Sequence, residues 1–259
     1  MRDVPAIQVG SIALGVYGHL DANEHVYALE EDCYSAFHSL SAATGHLNHE
    51  RADGAELGSW GMNDAGGPWL GADRRERRAQ FQVTPANGAG EPLPIEAFTC
   101  TAVAAVERFA ALELHGLEYY LPLELAGSAA SRVQSGAGWF TLAGREARTR
   151  VRVTLDSGES MVVVERVEEI LQSLSGLGGP EELEATVDVD CEPVDFPNPV
   201  PWRWWLGAGP ANTTTFDVTA TEWTPLAIGR VTTLFAEAFR SIGVTEAIGV
   251  RIVRAQPGP

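Results

Sequence analysis

Trp69-Leu70-Gly71-Ala72 followed by Phe81-Gln82-Val83-Thr84, and Trp205-Leu206-Gly207-Ala208 followed by Phe216-Asp217-Val218-Thr219, are one pattern written twice. Upstream, Phe37-His38-Ser39-Leu40-Ser41 answers to Leu171-Gln172-Ser173-Leu174-Ser175. All three pairs lie about 135 positions apart, with a drift of a residue or two, which marks an internal duplication. Two diverged copies act as controls for each other. What both keep builds the scaffold, and what only one has is a candidate for function.

The second copy is the easier to read. Thr149 to Leu155 alternates Val151, Val153 and Leu155 with polar residues, a half-buried strand closed by Asp156-Ser157-Gly158. Ser160 to Leu174 places Val163, Val167, Ile170, Leu171 and Leu174 on one helical face. Ala185 to Cys191 alternates again, and a Pro- and Trp-rich loop runs from Pro193 to Trp205. Thr213 to Thr219 is a β-branched strand, Pro225 opens a second helix, and Ile248 to Val253 closes the copy. The order β-α-β-β-α-β is the ferredoxin-like plan, an antiparallel sheet with helices on one face.

The first copy maps on less evenly. Its strands are expected at Ala6–Val16, Arg78–Thr84 and Leu117–Leu125, and its helices at Val26–Ala43 and Pro94–His115. No second strand is legible; Glu50–Gly71, rich in Gly, Asp and Trp, stands in its place. The expected fold is therefore α+β, a duplication of two ferredoxin-like βαββαβ units with antiparallel sheets and helices on the outside. Residues 1–127 form the first and site-bearing repeat, 128–148 a linker, and 149–259 the second repeat. The sheet face away from the helices needs a cover, and the second copy is the expected one.

Composition limits the chemistry. The chain has 259 residues, 45% of them hydrophobic, and a net charge of −17. Such a surface repels nucleic-acid phosphates and anionic membranes, so neither is an expected partner. There is no run long and apolar enough to span a bilayer and no N-terminal signal pattern, so a cytoplasmic protein is expected. The three cysteines, Cys33, Cys100 and Cys191, make neither a disulfide framework nor a metal clip. The chain contains no lysine. Schiff-base, pyridoxal-phosphate and Walker-type lysine chemistry are thereby excluded, and no cofactor motif appears.

The departures between the copies point to the first. All six histidines lie at or before His115. His46-x-x-His49-Glu50 has a spacing at which two imidazoles and a carboxylate could hold zinc or iron, although a loop or helix end explains it as well. The run Arg74-Arg75-Glu76-Arg77-Arg78 stands out in an acidic chain. The guanidinium forks of Arg74, Arg75, Arg77 and Arg78 suit an acidic ligand, or acidic surface elsewhere. Trp60, in the Gly-rich stretch Gly58–Gly67, and Trp204 are placed to stack on a flat ligand, with the stretch as a hinged lid. Glu96 has an alanine as its counterpart. It is either a favourable helix start or, if buried, a general acid/base with a raised pKa.

Pro92-Leu93-Pro94-Ile95-Glu96, together with chain length and the missing cofactor motif, resembles the bacterial Pictet–Spengler cyclases. The resemblance covers that one segment and overall size. It implies condensation of an aromatic amine or amino acid with an aldehyde, no cofactor, and Glu96 as the proton shuttle. The iminium forms on the substrate's own amine, which suits a lysine-free chain. The partner would then be a small aromatic, acidic substrate. The competing expectations are a small-molecule-binding or assembly protein without catalysis, in which units of this type join as a homodimer, and a histidine-ligated metal enzyme.

Overall fold

The computed structural model describes residues 10–21, 32–50, 56–66, 77–86, 91–128, 148–178, 185–187, 196 and 212–255. Ten strands and five helices appear among them. The first half contains β1 (Ile12–Asp21), α1 (Cys33–Ala43), β2 (His49–Glu50), β3 (Glu56–Leu57), β4 (Trp60–Gly66), β5 (Arg77–Pro85), α2 (Ile95–Glu107) and β6 (Ala111–Leu121). The second contains β7 (Thr149–Asp156), α3 (Val162–Glu165), α4 (Val167–Gly178), β8 (Ala185–Val187), β9 (Thr213–Ala220), α5 (Pro225–Ser241) and β10 (Ile248–Arg254).

Local chemistry accounts for the boundaries. Asp32 caps α1 by accepting the Ser35 N–H at 2.7 Å. Thr224 caps α5 by accepting the Ala227 N–H, with Pro225 in the first turn where its missing N–H is harmless. Helix α2 stops at Glu107, short of the expected His115. Beyond it Leu112 and Leu114 alternate with Glu113, the two-residue period of a strand, and Glu113 pairs with His19 of β1.

Eight strands form one antiparallel sheet in the order β4-β5-β1-β6-β10-β7-β9-β8, and β2 and β3 form a small ribbon of their own. The order reads the same from both ends. Each half runs second strand, third, first, fourth, counting its sheet strands in chain order, and the two fourth strands pair at the centre. Helix α1 packs beside α2, α2 beside α5, and α5 beside α4, so one helical layer spans both halves. Ile12, Leu14, Val16, Phe81, Val83, Leu117 and Tyr119 of the first half share a continuous core with Val151, Val153, Phe216, Val218, Val250 and Ile252 of the second.

This corrects the expectation that the second copy covers the far face of the first. The halves join edge to edge through β6 and β10, with Glu118 opposite Arg251. Two open strand edges disappear and their backbone groups find partners. The face away from the helices is also too polar to pack on an apolar sheet, since Ser11, Gln82, Glu118, Thr154, Asp156, Thr215 and Arg251 are buried along it.

The Gly-rich stretch expected as a lid is instead β4, the missing second strand. Trp60 begins it, fully buried in the helix-facing core. Its ring stacks on Phe37 (centroids 6.3 Å apart, 5° between planes) and meets Phe98 edge-on at 6.0 Å. Its Nε1–H donates to Ser41 Oγ at 3.3 Å. Trp60 is thus placed as a packing residue and not as an exposed face for stacking. No helix among the described residues is long and apolar enough to cross a membrane.

Truncating such a ring leaves a cavity that the surrounding sheet and helices cannot fill. Trp60→Ala is expected to lower unfolding free energy by about 3–5 kcal/mol, measured by urea titration. A loss under about 1 kcal/mol would contradict the assignment of Trp60 to the core.

Candidate functional site

The site is built on the sheet face opposite the helices. Strand alternation sends Ala13, Gly15, Tyr17 and His19 of β1 to this face, with Gln80 and Gln82 of β5 and Glu118 and Tyr120 of β6. The second half contributes Arg251, Thr154, Asp156, Thr215 and Asp217. One cross-strand row runs Gln80, Gly15, Glu118, Arg251, Thr154, Thr215.

At its centre lies an ionic cluster. The Arg251 Nε–H donates to Glu118 Oε1 at 2.9 Å, and Nη2 donates to Asp156 Oδ2 at 3.3 Å. The Tyr17 hydroxyl donates to Glu118 Oε2 at 2.7 Å, and Asp156 Oδ1 accepts the Gly158 N–H at 2.9 Å. Glu118 and Arg251 are only 3% and 4% exposed. Burial alone would lower the pKa of Arg251; Glu118 and Asp156, with Tyr17 behind them, outweigh it and hold the guanidinium charged. A buried charge pair of this kind survives only with its remaining hydrogen-bonding groups satisfied, and here Tyr17 and Gly158 help to satisfy them.

Phe196 covers part of this face. Its ring stacks on Tyr17 with centroids 3.8 Å apart and 10° between planes. Gly116 makes room for it, because a Cβ there would lie 2.6 Å from Phe196 Cζ. Phe196 is the one described residue of the Pro- and Trp-rich stretch 193–205.

The two halves of the face differ in how well their polar atoms are satisfied. In the second half Thr154 and Thr215 share a hydrogen bond at 3.0 Å, and Asp217 forms ion pairs with Arg150 at 3.1 Å and Arg152 at 3.5 Å. In the first half Asn63 Nδ2 donates to Ser11 Oγ and Thr84 Oγ1. On β1 and β5 of that half, three buried atoms have neither a hydrogen bond nor an ion pair: Gln80 Oε1, Gln82 Nε2 and His19 Nδ1. Gln82 as a residue is only 6% exposed. Leaving such a group unpaired costs about 1–3 kcal/mol.

The residues expected from sequence fall elsewhere. Glu96 sits in the first turn of α2, on the helical side of the sheet, with its side chain 36% exposed and its carboxylate 3.5 Å from Arg230 Nε of α5. Ile95 and Phe98 turn into the core while Glu96 pairs with Arg230 of the neighbouring helix, which fits the helix-start alternative and not a buried acid. Arg74, Arg75 and Trp204 lie outside the described residues. Arg77 and Arg78 begin β5, where their backbone is described and their side chains are not. His49 and Glu50 form β2, likewise known by backbone alone.

His46 stacks on Trp60 at 4.7 Å, and its Nδ1 lies 3.1 Å from Ser59 Oγ. No group of three or more His, Cys, Asp or Glu converges on a metal-sized site among the described residues. Burial raises the thiol pKa of Cys33 and Cys100, so neither is an activated nucleophile.

Tyr17, Gln80, Gln82, Glu118, Asp156 and Arg251 were not singled out from sequence. One signal was there to find. Gly116-Leu117-Glu118 and Gly249-Val250-Arg251 each place a charge between apolar neighbours, at the same step after a glycine. No family model, curated protein or solved structure matches the chain.

Burial lowers the pKa of His46, so the folded protein resists its protonation. Above the ordinary histidine value of about 6.5 both states are neutral there, and His46 adds no pH dependence. As pH falls below that value the unfolded chain takes up the proton first, and stability drops. Denaturation curves between pH 7.5 and 5.5 are expected to show wild type losing stability relative to His46→Gln. Parallel curves would contradict it.

Proposed function

We propose that the chain is a duplication of two ferredoxin-like units fused edge to edge, and that it binds a small molecule on the non-helical face of its first half. The single observation carrying this reading is the unpartnered amide of Gln82, buried beside the equally unpartnered oxygen of Gln80. A donor and an acceptor two residues apart on one strand stand about 7 Å from each other along the chain. That spacing suits a one- or two-ring molecule offering a carbonyl or carboxylate to Gln82 and an N–H or O–H to Gln80. The floor between them and Glu118 is Gly15, which has no side chain, and Ala13, whose methyl group leaves room. Tyr17 and Phe196 supply aromatic walls. The copies support the same placement, because the better-satisfied half of the face is the second.

The second reading is a cofactor-independent cyclase of Pictet–Spengler type, joining an aromatic amine to an aldehyde with Glu96 moving the proton. It is favoured by the partial exposure of the Glu96 side chain, which lets a substrate reach it. Its ion pair with Arg230 suits a helix contact better than a proton shuttle. The two readings put the ligand on opposite sides of the sheet, so one set of variants separates them.

A panel of aromatic amines, amino acids and acids, screened by thermal shift, is expected to yield a ligand whose affinity falls at least about tenfold in Gln82→Met, the equivalent of one lost hydrogen bond. Glu96→Gln should bind it as wild type does. The reverse pattern would move the site to the helical layer and favour the cyclase. Without ligand, Gln82→Met is expected to be as stable as wild type or more so by up to about 1 kcal/mol, because an unsatisfied amide has been replaced by an apolar chain. A clear loss of stability would mean that the amide is already structurally engaged.

A further inference from the structure

The register shows which residues of the two halves correspond. In the first half Phe81 pairs with Leu14 and Leu14 with Tyr119; in the second Phe216 pairs with Val153 and Val153 with Ile252. One step along, Gly15 pairs with Glu118 and Thr154 with Arg251. Glu118 and Arg251 are therefore counterparts, as are Tyr17, opposite Gly116, and Asp156, opposite Gly249. At the β6–β10 seam Glu118 and Arg251 also face each other. Each sits at the point where an antiparallel pair of identical strands would bring a residue against its own copy.

Two identical halves would bury Glu against Glu or Arg against Arg at this point, where both side chains are at least 95% buried. Like charges at contact distance in so dry a place are strongly unfavourable. The flanking groups have diverged to match. Tyr17 offers a donor to the carboxylate of its own half, and Asp156 offers an acceptor to the guanidinium of its own half.

We propose that the seam is self-excluding: the β6 edge accepts a β10 edge and rejects a second β6, and the β10 edge does the converse. The partner that fits each edge is the other half of this chain, or that same half of a second copy exchanged in its place. Pairing of like halves between molecules is closed off.

The test uses two full-length variants with different affinity tags. Glu118→Arg has arginine on both sides of the seam, and Arg251→Glu has glutamate on both sides. Refolded alone, each is expected to melt roughly 10 °C or more below wild type, or not to fold. Refolded together, they can exchange halves. One seam of the exchanged dimer is then wild type in every residue, and the other carries the reversed Arg–Glu pair. The expected result is a one-to-one complex bearing both tags, melting above either variant alone, and well beyond the background from two tagged wild-type chains. The proposal is overturned if either variant alone melts within about 2 °C of wild type. It is equally overturned if the mixture gives no more doubly tagged complex than wild type. If neither variant folds alone, the mixture still decides.

Discussion

The contact between Glu118 and Arg251 fixes how everything else is arranged. It lies midway along an eight-stranded sheet, where the last strand of each half would otherwise be an open edge. Joining those edges lets one helical layer and one core run across both halves. It also sets the second half beside the first and not over its non-helical face. The polar residues of that face, a defect against an apolar sheet, are buried along it, and several of them bond one another across the strands. Charge complementarity at the seam and a continuous polar face are thus two consequences of one joining.

A difference between the halves carries the functional reading. The two halves present similar faces, and on β1 and β5 of the first half Gln80, Gln82 and His19 keep buried polar atoms without a hydrogen bond. In the second half Thr154 bonds Thr215 and Asp217 forms ion pairs with Arg150 and Arg152. A fold tolerates several unpaired buried groups when something else satisfies them during function, which is the usual relation between stability and binding sites. The lysine-free composition removes amine chemistry and leaves amides, carboxylates, hydroxyls, thiols, imidazole and guanidinium.

Most of the architecture was legible in the sequence, because alternation and helical periodicity act locally. The strands at Thr149–Asp156, Thr213–Ala220 and Ile248–Arg254 and the helix opened by Pro225 all follow from such patterns. What was not legible depends on distant partners. The strand at Trp60–Gly66 is hidden by its glycines, which weaken the local signal while pairing with β5 holds the strand in place. Trp60 looks like a ligand-stacking residue until its neighbours Phe37, Phe98 and Ser41 are known. Glu96 reads from sequence as either a helix start or a buried acid, and Arg230, far along the chain, is what separates the two. The central cluster joins residues from four strands, and no window of sequence contains more than one of them.

The central claim is that the two halves form one cooperative sheet welded at β6 and β10. Native-state amide hydrogen exchange tests it most directly, strand by strand. The account predicts that the paired amides of β6 and β10 exchange as slowly as those of β1 and β7, and only by global unfolding. Seam amides that exchange orders of magnitude faster, while β1 and β7 stay protected, would show two independently stable halves in loose contact and contradict it.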